Sequence, residues 1–296
     1  MKNLAIIGLG VMGKNHYRVL NSIPNIKIKA LCDVNIKGDY PEKTYNNVDE
    51  MLNNEEIDAA IISTPTFLHK EIALKCINKG VSLLIEKPVA SNLKDGYEIL
   101  EAAEKNDVKI AVGHVERFNP VVNSLKNELI GKEIYNISIT RVGPIPPRIG
   151  DVGVLTDLSV HDIDLIRFLT GSEIKDKNIY KSKKIHNHYE DNAILSFKLE
   201  NDTIADIITN WLTPFKKRTI EVACKEAFYE ADLISQELKE YSSYSINNSY
   251  LVRDCFVKKG EPLLNELTAF SSFLRDNIRG NLAAIQDSVK TLEILN

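Results

Sequence analysis

A short apolar run, Leu4-Ala5-Ile6-Ile7, passes directly into Gly8-Leu9-Gly10-Val11-Met12-Gly13 and then into an amphipathic stretch. Few patterns restrict a backbone so tightly. Between a strand and a helix, Gly8 allows the sharp turn and Gly10 lets the backbone approach a pyrophosphate, while Gly13 lets helix and strand pack closely. The N–H groups that open the helix, around Val11, Met12 and Gly13, then point at the anion. A second apolar run, Ile26–Cys32, ends at Asp33, 20 residues after Gly13. A carboxylate at that spacing bonds ribose hydroxyls. It also repels a 2′-phosphate, and Val34-Asn35 offers no cation to hold one, so the spacing predicts NAD rather than NADP. With Lys2, the same residues resemble the charged and apolar parts of an export signal. No small-x-small cleavage site follows, and the polar Gly13-Lys14-Asn15-His16 argues against that reading.

Up to His114 the chain alternates apolar runs (Leu4–Ile7, Ile26–Cys32, Ala59–Ser63, Ser82–Ile85, Lys109–Gly113) with amphipathic segments (Gly13–Ser22, Phe67–Lys79, Leu93–Asn106). Unbroken runs such as Ala59-Ala60-Ile61-Ile62 are the mark of buried parallel strands. After Pro120 the rhythm changes. A helix at Asn123–Ile130, a strand at Glu133–Arg141 and a helix at Asp157–Leu169 lead into strands at Ala193–Leu199, Thr203–Trp211, Thr219–Cys224 and Ala227–Leu233. Polar turns join these strands at hairpin spacing, and helices at Pro262–Ile278 and Asp287–Leu295 close the chain. The expected fold is α/β, an N-terminal Rossmann doubly wound parallel sheet followed by a C-terminal α+β domain with an open, predominantly antiparallel sheet. The expected domains are 1–118 and 119–296, with the C-terminal helix able to pack back on the first. A net charge of −4 gives no basis for nucleic-acid or anionic-membrane binding. Four cysteines without metal-ligand spacing predict reduced thiols in a cytoplasmic protein.

Two further segments fall where strands of the first domain end, the place where ligands bind such sheets. One is Ser63-Thr64-Pro65-Thr66-Phe67-Leu68-His69 and the other is Glu86-Lys87-Pro88. Thr64, Pro65, His69 and Glu86 are therefore candidates for contact with the cofactor. Lys87 reads either as a surface charge or as an amine aimed at the nicotinamide, with Pro88 stiffening the turn. In the second domain, Asp157 and His161 are four apart and share a helix face. A carboxylate beside an imidazole orients it for general-base work, although the pair also reads as a helix cap with a structural histidine. Asp164 lies elsewhere on that helix and is taken as structural. His186 and His188 offer too few ligands for a metal, and none is expected.

Taken together, Gly8–Gly13, Thr64-Pro65 with His69, Glu86-Lys87-Pro88, Gly113–Pro120 and Asp157 with His161 resemble the Gfo/Idh/MocA family of NAD(P)-dependent sugar and polyol oxidoreductases. The resemblance implies Lys87, Asp157 and His161 as the catalytic set. Within the family, Gly113–Pro120 and Arg141–Arg148 look like the members that oxidise C3 of UDP-N-acetylglucosamine. That likeness gives Arg117 and Arg148 as cation partners for a diphosphate, and Asn119 as a partner for a sugar hydroxyl. The alternatives are a relative acting on inositol, a free sugar or a uronic acid, or a non-catalytic dinucleotide sensor. Ile204, Ile208 and Trp211 are expected to form part of an apolar sheet face that joins copies into a homodimer or homotetramer.

Overall fold

The computed structural model describes residues 1–146, 152–186, 188–242 and 249–295. Its contacts divide the chain into two units, Met1–Val115 with Pro262–Glu293, and Glu116–Glu261 with Ile294 and Leu295.

The first unit opens with β1 (Lys2–Ile7), α1 (Val11–Leu20), β2 (Ile26–Cys32), β3 (Lys43–Tyr45), α2 (Val48–Asn54) and β4 (Ala59–Ile62). It continues through α3 (His69–Asn78), β5 (Ser82–Glu86), α4 (Leu93–Lys105) and β6 (Ile110–Gly113). The strands form one parallel sheet in the order β3-β2-β1-β4-β5-β6. Strand order reverses beside β1, which places a ligand crevice at the carboxyl ends of β1 and β4. Every residue of β4 is buried, as a strand covered on both faces must be. Local chemistry sets the helix ends. Asn92 caps α4 by accepting from the Asp95 N–H at 3.0 Å, and Gly80 follows α3 at φ +70°.

The second unit comprises α5 (Pro120–Glu128), β7 (Ile134–Pro144), a π-helical turn (Leu155–Ser159), α6 (Val160–Thr170), β8 (Ile174–Ser182) and β9 (Asn192–Leu199). It ends with β10 (Ile204–Asn210), β11 (Leu212–Cys224), β12 (Ala227–Asp232), β13 (Glu237–Ser242) and β14 (Leu251–Cys255). The sheet runs β14-β13-β12-β11-β7-β10-β9-β8. All pairs are antiparallel except β10 with β7. Alternate residues of its strands, such as Ile137, Ile139, Ala205, Ile207, Ile220 and Val222, meet α5 and α6 in one core. The opposite face carries Ile194, Ile204 and Ile208, which remain 45%, 47% and 40% exposed. Trp211, expected with them, is 3% exposed. It stands an odd number of residues from Ile208 and joins the helix-covered side.

Beyond the second unit, α7 (Pro262–Asp276) and α8 (Ile285–Leu295) return to the first sheet. Ala283 bridges Val112, and Ile285, Val289 and Leu292 enter the first unit's core. The chain thus leaves the first unit near 116 and returns to it near 262, with α7 packing on α1 and Val289 and Leu292 of α8 facing Gly96 of α4. No helix among the described residues is long and apolar enough to cross a membrane.

Candidate active site

The glycine turn has the geometry its spacing predicts. Gly8 lies at φ +95°, and a Cβ there would stand 2.7 Å from the Ser63 and Thr64 backbone. A Cβ on Gly13 would lie 1.9 Å from the Gly8 carbonyl oxygen. Gly10 differs: beyond its own chain neighbours, no atom of the described residues lies within 4 Å of the corresponding position. The protein itself therefore leaves that space open. α1 begins at Val11 with no side-chain cap and no acid in its first turn, so its leading N–H groups keep their positive end for an anion. Asp33 follows β2 and accepts from the Leu9 N–H at 2.6 Å and from the Asn35 N–H at 2.8 Å. Its carboxylate is thereby tied to the glycine turn. Open backbone at Gly10, an uncapped helix start and a half-buried acid fit a dinucleotide.

The ends of β4 and β5 are held together by a histidine. His69 is 1% exposed. Its Nε2 lies 2.9 Å from the Thr64 carbonyl oxygen and its Nδ1 lies 3.0 Å from that of Pro88. The ring, expected at the cofactor, braces these two loops, and burial pushes its imidazolium down in pKa. Glu86 is turned inward in the same way. Its Oε1 lies 2.7 Å from Nε2 of the fully buried His16. Burial pushes the Glu86 carboxyl up, but His16 and the charges of Lys87 and His69 outweigh it and hold it low. Thr64 and Pro65 occupy the loop beside the glycine turn, where Ser63 Oγ donates to the Gly8 carbonyl at 2.8 Å. Lys87 follows on from β5, half-buried, through a cis peptide to Pro88.

In the second unit, Asp157 lies in the π-helical turn and His161 in the first turn of α6, both half-buried. Glu190 starts that turn. Its Oε1 accepts from the Leu155 N–H at 3.3 Å, and its carboxyl group fills the space a side chain at Gly153 would need. Beneath the helix lies a buried ionic network. Arg141 donates to Asp162 Oδ1 and to Glu116 Oε1, both at 2.8 Å. Burial pushes the Asp162 carboxyl up to about 6 against the pull of Arg141.

Of the three expected substrate contacts, two have partners within the protein and one is not described. Arg117 is 7% exposed and forms a two-pronged pair with Asp164 at 2.7 and 2.6 Å, so it binds the chain to itself. Asn119 is 3% exposed; it caps α5 through Val121 N–H and donates to the Leu233 carbonyl at 3.0 Å. Arg148 lies outside the described residues. The structure adds Arg218, which sequence reasoning missed and which stands opposite Arg141 in the β11–β7 pair. Its signal was present as the only arginine in the basic run Lys216-Lys217-Arg218. All four cysteines are free and buried, and burial pushes Cys76 up to about 12. Among the described residues, the group with metal-ligand spacing, Glu128, Glu240 and Cys255, is filled by the Arg253 guanidinium, which pairs with both acids.

A doubly wound sheet with an open glycine turn, joined to a sheet unit that offers Asp157 and His161 on one helix, defines a two-unit, nicotinamide-dependent oxidoreductase. Residues 2–114 match the oxidoreductase family with an NAD-binding Rossmann fold, and residues 140–230 match the GFO/IDH/MocA C-terminal domain. The chain belongs to the Gfo/Idh/MocA family, and its first unit is that family's NAD-binding fold. It is 30% identical over 221 residues to an uncharacterised oxidoreductase of Bacillus subtilis, a match spanning 68% of this chain and 65% of that one. It is 26% identical to the UDP-N-acetylglucosamine 3-dehydrogenase of Acidithiobacillus ferrooxidans, over 80% of this chain and 75% of the relative. That enzyme's solved structure shares the fold with a TM-score of 0.89 over 99% of this chain and 94% of its own, at 21% identity. The scyllo-inositol 2-dehydrogenase (NAD(+)) of Bacillus subtilis is 32% identical over 57% of this chain and 54% of its own.

Proposed function

We propose that this chain oxidises a secondary hydroxyl of a sugar, C3 of a UDP-linked N-acetylhexosamine, with NAD as the acceptor. The observation that carries the reading is the placement of Asp157 and His161 four residues apart where the π-helical turn runs into α6, both half-buried rather than absorbed into the apolar core. The match over 80% of the chain to a UDP-N-acetylglucosamine 3-dehydrogenase supports the substrate. Bound NAD supplies the hydride acceptor. His161 takes the hydroxyl proton, and Asp157 orients and polarises the imidazole. Lys87 donates a hydrogen bond to the oxygen as its O–H is lost, an interaction strongest in the transition state. Thr64, Pro65 and Asp33 hold the dinucleotide with the glycine turn. The buried reduced thiols support a cytoplasmic location. The exposed Ile194, Ile204 and Ile208 support self-association through the open sheet face.

The test is nicotinamide absorbance with NAD and a panel of UDP-N-acetylhexosamines, myo- and scyllo-inositol, free hexoses and a hexuronate. Turnover of the UDP-sugars is the expected result. Turnover of inositol alone supports the second reading, which the 32% identity to an inositol enzyme favours. NAD binding without any turnover refutes catalysis. Lys87→Met should lower kcat by about 100- to 10,000-fold while leaving NAD affinity nearly unchanged. Near-normal turnover would remove Lys87 from the mechanism.

A further inference from the structure

Two guanidinium groups stand side by side on the helix-covered face of the eight-stranded sheet. Arg141 on β7 and Arg218 on β11 are register partners, and like charges placed directly opposite repel. Arg141 is 2% exposed and held by two acids at 2.8 Å. Arg218 is held far less firmly. Its hydrogen bond among the described residues is one 3.3 Å contact to Glu116 Oε1, the oxygen that already accepts from Arg141. Its side chain is 38% exposed. Burial and the neighbouring Arg141 both push its guanidinium down in pKa, and Glu116, Asp162 and Asp157 pull it back up. Arg218 is a planar fork with donors to spare, crowded by a like charge whose partner Asp162 follows His161 on α6. An oxyanion docking there would relieve the repulsion and receive two parallel N–H donors.

We propose that Arg218 is the substrate-recognition residue of the second unit, binding an oxyanion of the substrate, the diphosphate of a sugar nucleotide. The inference rests on the sugar-nucleotide reading and assigns its charge recognition to a residue other than Arg117 or Arg148. The same fork would accept a sugar carboxylate, so the experiment separates the two sources.

Calorimetric titration of UDP and of glucuronate into the NAD-loaded protein is compared for wild type, Arg218→Met and Arg218→Lys, together with KM and kcat for the UDP-sugar. We expect UDP to bind about 10-fold or more weakly in Arg218→Met, with the lysine variant intermediate. The loss should fall mainly on KM. A loss confined to glucuronate supports oxyanion recognition and transfers its source to a carboxylate. NAD affinity, a property of the first unit, reports folding in each variant. If wild type binds and turns over UDP-sugars while both variants match it, the Arg218 assignment alone is overturned. If wild type binds neither anion and oxidises only uncharged polyols, the sugar-nucleotide reading fails and the Arg218 assignment falls with it.

Discussion

Replacing Glu266 by glutamine should stabilise the protein progressively as pH rises. Glu266 lies on α7 with 0% exposure, and neither carboxyl oxygen has a hydrogen-bond partner among the described residues. α7 packs on α1, which carries the equally buried His16 and, through it, Glu86. Burial pushes the Glu266 carboxyl well above its ordinary value near 4.5, and the Glu86 charge adds to the push. Below about 4.5 both folded and unfolded chains hold the proton, and the contribution to stability is fully present. Between that value and the raised native one, only the folded chain holds it. Stability then falls with pH at up to about 1.4 kcal/mol per unit, and becomes flat again above the native value.

Glutamine cannot ionise, so this loss disappears from the variant. Its buried amide brings an offset of about 1–3 kcal/mol that does not depend on pH. The decisive quantity is therefore the slope of the difference, not its sign at one pH. The assay is the thermal midpoint of the NAD-free protein from pH 5 to pH 8, where a full slope amounts to about 2 °C per unit. Glu266→Leu, which has no amide to satisfy, should tilt the difference equally from another offset. A difference curve that is flat, or that falls with pH, would show Glu266 ionised in the folded state and refute the reasoning.

The glycine turn predicts a dissociation between two similar changes. Gly10→Ala meets no atom among the described residues and should leave stability within ~0.5 kcal/mol while weakening NAD at least about 10-fold. Gly13→Ala drives a methyl into the Gly8 carbonyl and should lose both NAD affinity and more than about 2 kcal/mol of stability. Normal NAD binding by Gly10→Ala would move the pyrophosphate away from that turn. Ile208→Asp places a charge on the open sheet face and should convert an oligomer to monomer by light scattering. An unchanged mass would clear that face of the interface.

What could be read from the sequence was what short-range geometry dictates. The glycine turn, Asp33 and the alternation of strands and helices follow from steric and periodic rules that act over a few residues. The polar residues were harder, because their roles depend on partners far along the chain. The position of His69 after a strand predicts a cofactor contact but says nothing of the carbonyls of residues 64 and 88 that flank its ring. Arg117 reads from sequence as a cation for a diphosphate, and its pairing through two hydrogen bonds with Asp164, 47 residues later, is invisible there.

Pairing decides which cations of the second unit can still meet a substrate. A guanidinium matched two-to-two by a buried carboxylate has little to gain from a ligand, since release would strand a buried charge. One that shares a single acceptor oxygen with a second arginine is already under-satisfied, and binding an anion improves its surroundings. By that measure Arg117 is committed to Asp164, whereas Arg218 is the recognition group; Arg141 shares the Glu116 oxygen but is 2% exposed and held from the other side by Asp162. No one-dimensional motif carries the distinction, because it exists only once β7 and β11 lie in register.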